Sequence, residues 1–170
     1  MSIEKVLSSV SPDKETLLTI GVFDGVHLGH MSLLNELVKR AGDKQFKSAV
    51  VTFWPNPQGI ISPNKKVLFL TNPEQRARLL KDAGVELVVT LPFTERLASL
   101  KAEGFISLLI KSLKMRGLVI GPDFALGKSR EGSIEFLKQL GYKFGFEVIV
   151  MPPLKINGIA ITSKPNLYPS

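Results

Sequence analysis

Residues 17–41 read LLTIGVFDGVHLGHMSLLNELVKRA, and the fold turns on what happens in the middle of them. The run Leu17-Leu18-Thr19-Ile20-Gly21-Val22 is apolar with little alternation, which predicts a strand buried on both faces. From Leu28 to Ala41 the period changes, with Leu33, Leu34 and Leu37 at helical spacing. A buried strand passing within a few residues into an amphipathic helix is the first half of a βαβ unit. Gly21, Asp24 and Gly25 make the bend between them sharp and small, and His27-Leu28-Gly29-His30 follows. Both histidines of the chain lie in that one step. A helix N-terminus offers unpaired N–H groups and a positive dipole end, which favour phosphate. Residues three apart share a helical face, so His27 and His30 point at one anion and Gly29 lets it approach. An imidazole there donates to an oxygen that gains charge in phosphoryl transfer, with no covalent protein intermediate. Two ordinary histidines beside a turn is the competing reading; the strand before and the helix after favour the anion site. A zinc site is weaker, because no third histidine and no cysteine exist and carboxylates would have to complete it.

Outward from this stretch the alternation continues. Strands are expected at Ser48 to Trp54, Glu86 to Leu91, Leu118 to Gly121 and Phe146 to Met151. Helices are expected from Asn72-Pro73-Glu74 to near Gly84, over Glu103 to Lys114, and over Ser133 to Leu140. Residues 55–70, with three prolines and a glycine, read as a long loop. Lys155 to Ile161 reads as a hairpin around Asn157-Gly158. The pattern predicts a mostly parallel sheet with ligands beyond the carboxyl ends of its strands, at the loops after residues 22, 54, 91 and 121. The second and fourth of these are expected to end adjacent strands.

The 170 residues suit a single domain, 44% apolar and 22% charged, which excludes wholesale disorder. Without cysteine there is neither a disulfide framework nor a thiolate site or nucleophile. MSIEKVLSSVSPDKE lacks the apolar core of a signal peptide, and no stretch approaches a membrane span, so a cytoplasmic location without a membrane partner is expected. The net charge of +7 asks for an anionic partner. Apart from Lys65-Lys66 the basic residues are scattered and not interleaved with aromatics, which argues against nucleic acid and suits phosphorylated small molecules.

GVFDGVHLGH, residues 21–30, resembles the signature of bacterial FAD synthetases, the FMN adenylyltransferase module of bifunctional riboflavin kinase/FAD synthetases within the nucleotidyltransferase superfamily. Further motifs follow in order: Val51 to Pro57, Leu70-Thr71, Gly84-Val85, Ala102 to Phe105, and Val119 to Lys128 with Gly132 beyond. Roughly residues 16–163 are covered. The resemblance implies a Rossmann-like nucleotidyltransferase fold: α/β, a mostly parallel five-stranded sheet flanked by helices, with a C-terminal hairpin. It implies AMP transfer from ATP to FMN, giving FAD and pyrophosphate, with Mg²⁺ accompanying ATP. By the same resemblance Gly21, Val22, Phe23, Asp24, Gly25, His27, Gly29, His30, Thr162 and Ser163 bind ATP, with His27 and His30 catalytic. Pro55, Asn56, Pro57, Asp123 and Lys128 lie on the flavin side, while Phe53 and Phe124 are core residues that hold their loops. For Asp123 a turn-capping role competes, and for Lys128 an ordinary exposed lysine.

The chain departs from the pattern in places. Asn56 replaces the family histidine, Trp54 an acid, and Ala125-Leu126 an Arg-Phe-like pair. After Ile161-Thr162-Ser163 the Ser-Ser-Thr-x-Ile-Arg-like motif gives way to Lys164-Pro165, so weakened transfer is expected; a single domain without the riboflavin kinase domain is likewise expected. Two other functions stay open: a nucleotidyltransferase with a different phosphate acceptor, and a non-catalytic nucleotide- or flavin-binding protein.

Overall fold

A computed structural model describes residues 2–23, 28–55, 72–127, 132–152, 154–156 and 159–161. The elements run α1 (Ile3–Val10), β1 (Thr16–Ile20), α2 (Leu28–Lys44), β2 (Lys47–Trp54), α3 (Pro73–Asp82) and β3 (Leu87–Pro92). They continue with α4 (Glu95–Ser99), α5 (Ala102–Leu113), β4 (Met115–Ile120), α6 (Ile134–Phe144), β5 (Glu147–Val150), β6 (Leu154–Ile156) and β7 (Ile159–Ile161). The first five strands form one sheet in the order β3-β2-β1-β4-β5, and every pairing in it is parallel. β6 and β7 pair antiparallel as the expected hairpin, Leu154 opposite Ile161. This is the doubly wound arrangement that the resemblance implies.

Pleating sends successive side chains to opposite faces, and here both faces are covered. Leu18, Ile20, Ala49, Val51, Phe53, Leu118 and Ile120 join a core built with Ile3 and Leu7 of α1, Leu97 of α4, Phe105 and Leu109 of α5, and Leu137 of α6. Leu17, Val50 and Val119 turn the other way, against Leu34 and Leu37 of α2 and Leu80 of α3. That double burial is why the strands read as apolar runs. Phe53 and Phe124 are both core residues, as expected.

Two helices escape the sequence reading. In α1, Ser2 caps the helix by accepting from Lys5 N–H, and Ile3 and Leu7, four apart, are buried. α4 is a five-residue helix opened by Thr94, which accepts from Leu97 N–H; it is too short for periodicity to register. β4 begins three residues before Leu118. Exposed Arg116 interrupts its apolar run, and the pairing with β1 shifts register there, from Thr16–Met115 to Leu17–Gly117. The adjacency expected of the loops after β2 and β4 is corrected by the sheet: β1 lies between those strands. Residues 56–71, nearly all of the expected long loop, fall outside the described residues.

Candidate active site

In the order β3-β2-β1-β4-β5 the connections run one way from β1 through β2 to β3 and the other way through β4 to β5. The reversal lies between β1 and β4. At such a switch point the connections diverge and leave a crevice beyond the carboxyl ends. Gly21-Val22-Phe23 leaves β1 at that edge, Thr52 to Pro55 ends β2, and Gly121-Pro122-Asp123 follows β4.

The first of these segments is held from several directions. Gly21 N–H still donates to Val51 C=O at 3.0 Å, so the ladder runs one residue past β1. Val22 C=O accepts from the Thr52 hydroxyl at 2.9 Å. Phe23 then takes a left-handed φ of 55°, which ends the extended run and folds its ring back over Gly21. A Cβ on Gly21 would sit 2.6 Å from Phe23 Cε2, so only glycine fits beneath the ring. The ring is buried in the second core and meets His30 edge-on, centroids 4.9 Å apart. His30, in the first turn of α2, is only 4% exposed. The side chain of Phe23 thus belongs to the core. Asp24 to His27 lie outside the described residues, and of Gly29 only the backbone is described.

On the β2 side, the Trp54–Pro55 peptide is cis and both residues are half-buried. The Arg76 guanidinium carbon of α3 lies 5.9 Å from the centroid of the Trp54 ring. Trp54 C=O accepts from Phe93 N–H at 3.1 Å, tying the strand end to β3. Asn56 and Pro57 lie outside the described residues. Beyond β4, Asp123 is exposed in a turn closed by Phe124 N–H donating to Gly121 C=O at 3.3 Å. Leu126 and Gly132 then exchange two backbone hydrogen bonds, of 3.0 and 2.6 Å. Gly127 has φ 87°, and a Cβ there would meet Ala102 N at 2.7 Å; one on Gly132 would meet Leu126 O at 2.5 Å. Gly127 and Gly132 therefore pack against the start of α5. Lys128 lies outside the described residues, as do Thr162 and Ser163.

Sequence reading named Thr52 only within the Val51 to Pro57 motif, with no role, and passed over Arg76. An arginine on a helix carries no signal of its own; the fold brings Thr52 against Val22 C=O and Arg76 against Thr52. Among the described residues no cluster of three or more His, Asp or Glu side chains fits a metal ion, and no helix is long and apolar enough to cross a membrane.

The FAD synthetase family model matches residues 9–165. The chain is 35% identical over 156 residues to the bifunctional riboflavin kinase/FMN adenylyltransferase of Escherichia coli K12, covering 91% of this chain and 50% of that protein. The Pseudomonas fluorescens protein described by the same words is 33% identical over 165 residues, 96% of this chain and 53% of that one. The chain thus spans about half the length of these relatives. A crystal structure described as a macrolide-efflux protein from Streptococcus pneumoniae superposes with a TM-score of 0.82 at 31% identity, covering 96% of this chain and 53% of that one. With the family model matched along nearly the whole chain, on a five-stranded parallel sheet, this chain belongs to the FAD synthetase family.

Proposed function

We infer that the chain is an FMN adenylyltransferase: ATP and FMN give FAD and pyrophosphate. The observation that carries this reading is the placement of Gly21 to Phe23 and His30 at the β1/β4 switch point, with the strand end and the helix start locked together by the Phe23 ring. ATP phosphates lie over the start of α2, and an FMN phosphate oxygen attacks the α-phosphorus in line. The bond from the α-phosphorus to the bridging oxygen breaks, and pyrophosphate leaves. His27 and His30 hydrogen-bond the phosphate oxygens as charge builds on them, and the backbone from Gly21 to Gly25, with Gly29, allows close approach. Thr162 and Ser163 complete the ATP side. Mg²⁺ enters with ATP, as a counter-ion of its phosphates.

The flavin is placed between Pro55 to Pro57 and Asp123, with Lys128 beside it. β1 separates these strand ends, so they stand about 10 Å apart, a span suited to a fused ring system rather than a single ring. A different phosphate-bearing acceptor is favoured by one observation: Trp54 stands where the family has an acid and packs beneath Arg76, which changes the acceptor wall. Incubation with MgATP and FMN, following FAD and pyrophosphate together, separates the readings. FAD and pyrophosphate in equal amounts support FMN adenylyl transfer. Pyrophosphate only with another acceptor selects the second reading, and binding of both ligands without turnover overturns catalysis altogether.

A further inference from the structure

Among the described residues, Arg76 is the fully buried member of the Lys, Arg, Asp and Glu set; every other such side chain keeps some exposure. Burying a guanidinium is costly, and an apolar side chain would fill the same space without that cost. Its position is set firmly. A reciprocal capping box between Asn72 and Gln75 fixes the start of α3, in whose first turns it lies. From there Nη1 donates to Phe53 C=O at 2.8 Å and to Thr52 Oγ1 at 3.2 Å.

The second of these bonds has a direction that chemistry enforces. A guanidinium only donates, so the Thr52 oxygen must accept from it, and the hydroxyl proton is left for Val22 C=O at 2.9 Å. Donors in series polarise one another. The Val22–Phe23 peptide is planar, so a carbonyl held towards β2 points the Phe23 N–H the opposite way. That N–H is the first backbone donor of the bend leading to His30.

We propose that Arg76 is a positioning residue: acting through the Thr52 hydroxyl, it orients and polarises the Val22–Phe23 peptide so that Phe23 N–H serves as a donor to a nucleotide phosphate. This rests on the nucleotide-binding reading above. Arg76 itself touches no ligand in this scheme.

Thr52→Val keeps the shape and leaves the Arg76 bond to Phe53 in place while removing the relay; Thr52→Ser keeps the hydroxyl. Calorimetry on the full chain is expected to show ATP binding weakened roughly three- to tenfold by Thr52→Val, with FMN affinity and the Thr52→Ser variant within about twofold of the parent. Phe23 amide hydrogen exchange is expected to quicken in Thr52→Val alone. Adding Arg76→Lys to Thr52→Val is expected to cost no further ATP affinity, because both act through one hydroxyl. Unchanged ATP affinity and Phe23 exchange in Thr52→Val overturn the inference, as does an equal loss for ATP and FMN, which marks a merely structural role. Failure of the parent chain to bind ATP overturns the nucleotide reading itself, and this inference with it.

Discussion

A left-handed φ at a bulky residue such as Phe23 costs roughly 1–2 kcal/mol, and the fold retains it because the ring is then buried over Gly21 and against His30. Three residues of the same motif are thereby coupled. In Gly21→Ala the new methyl would lie 2.6 Å from Phe23 Cε2, so the ring has to move within a packed core. The expected outcome is a loss of about 1–3 kcal/mol in urea unfolding. FAD formation should also fall, because the displaced ring no longer fixes the imidazole. A variant that is less stable yet fully active breaks that coupling. For His30→Ala the proposed role in stabilising developing charge sets the scale: turnover should drop roughly 10²- to 10³-fold, with a smaller change in ATP affinity. Equal losses in both, measured by FAD assay and calorimetry, would make His30 a binding group rather than a catalytic one.

At the scale of elements, α1 and α4 are joined across the surface by a two-pronged pair between Arg96 and Glu4. The guanidinium holds the Glu4 carboxyl down, from its ordinary 4.5 to about 2. Because the folded value lies below the unfolded one, the pair stabilises fully above pH 4.5, and that contribution is lost as the pH falls through about 2. Thermal melts of Glu4→Gln should therefore run below the parent at neutral pH and converge with it in strong acid. The gap should be small and salt-sensitive, since both side chains are about half exposed. A gap that persists undiminished below pH 2 would place its origin elsewhere. The same elements mark the limit of what sequence reveals. β1, β2 and α2 were legible because double burial and a leucine face leave strong periods. α4 was not, since five residues cannot show a period, and α1 offered only Ile3, Val6, Leu7 and Val10 after a capping serine. The proposed site residues that stand out in sequence are those one local motif carries. Thr52 and Arg76 do not stand out, because their roles exist only in the folded chain.

For the molecule as a whole, strand order decides which end can work. Sequence gives the alternation of strands and helices but not lateral order, which is why the loops after β2 and β4 were expected side by side although β1 separates them. With the order known, the two ends of the sheet become distinct. At the carboxyl end lie Gly21 to Phe23, Thr52 to Pro55 and Gly121 to Asp123; at the amino end a groove is lined by Lys14, Glu15, Gly42, Gln45, Phe46 and Glu86. A groove at the amino end does not by itself make that end the working one. The connections decide. Beyond the amino ends, helices return into their strands without diverging, whereas the reversal between β1 and β4 opens the other end. Saturating MgATP at a hundredfold excess over its Kd should stabilise the folded state by about 2.7 kcal/mol, which raises Tm by roughly 5–11 °C for a chain of this length. Hydrogen exchange should localise that protection to the end of β1 and the first turn of α2, leaving Gly42 to Phe46 unchanged. Protection confined to the amino-end groove, with Val22, Phe23 and His30 unaffected, would put the nucleotide at the wrong end of the sheet for everything argued from its strand order.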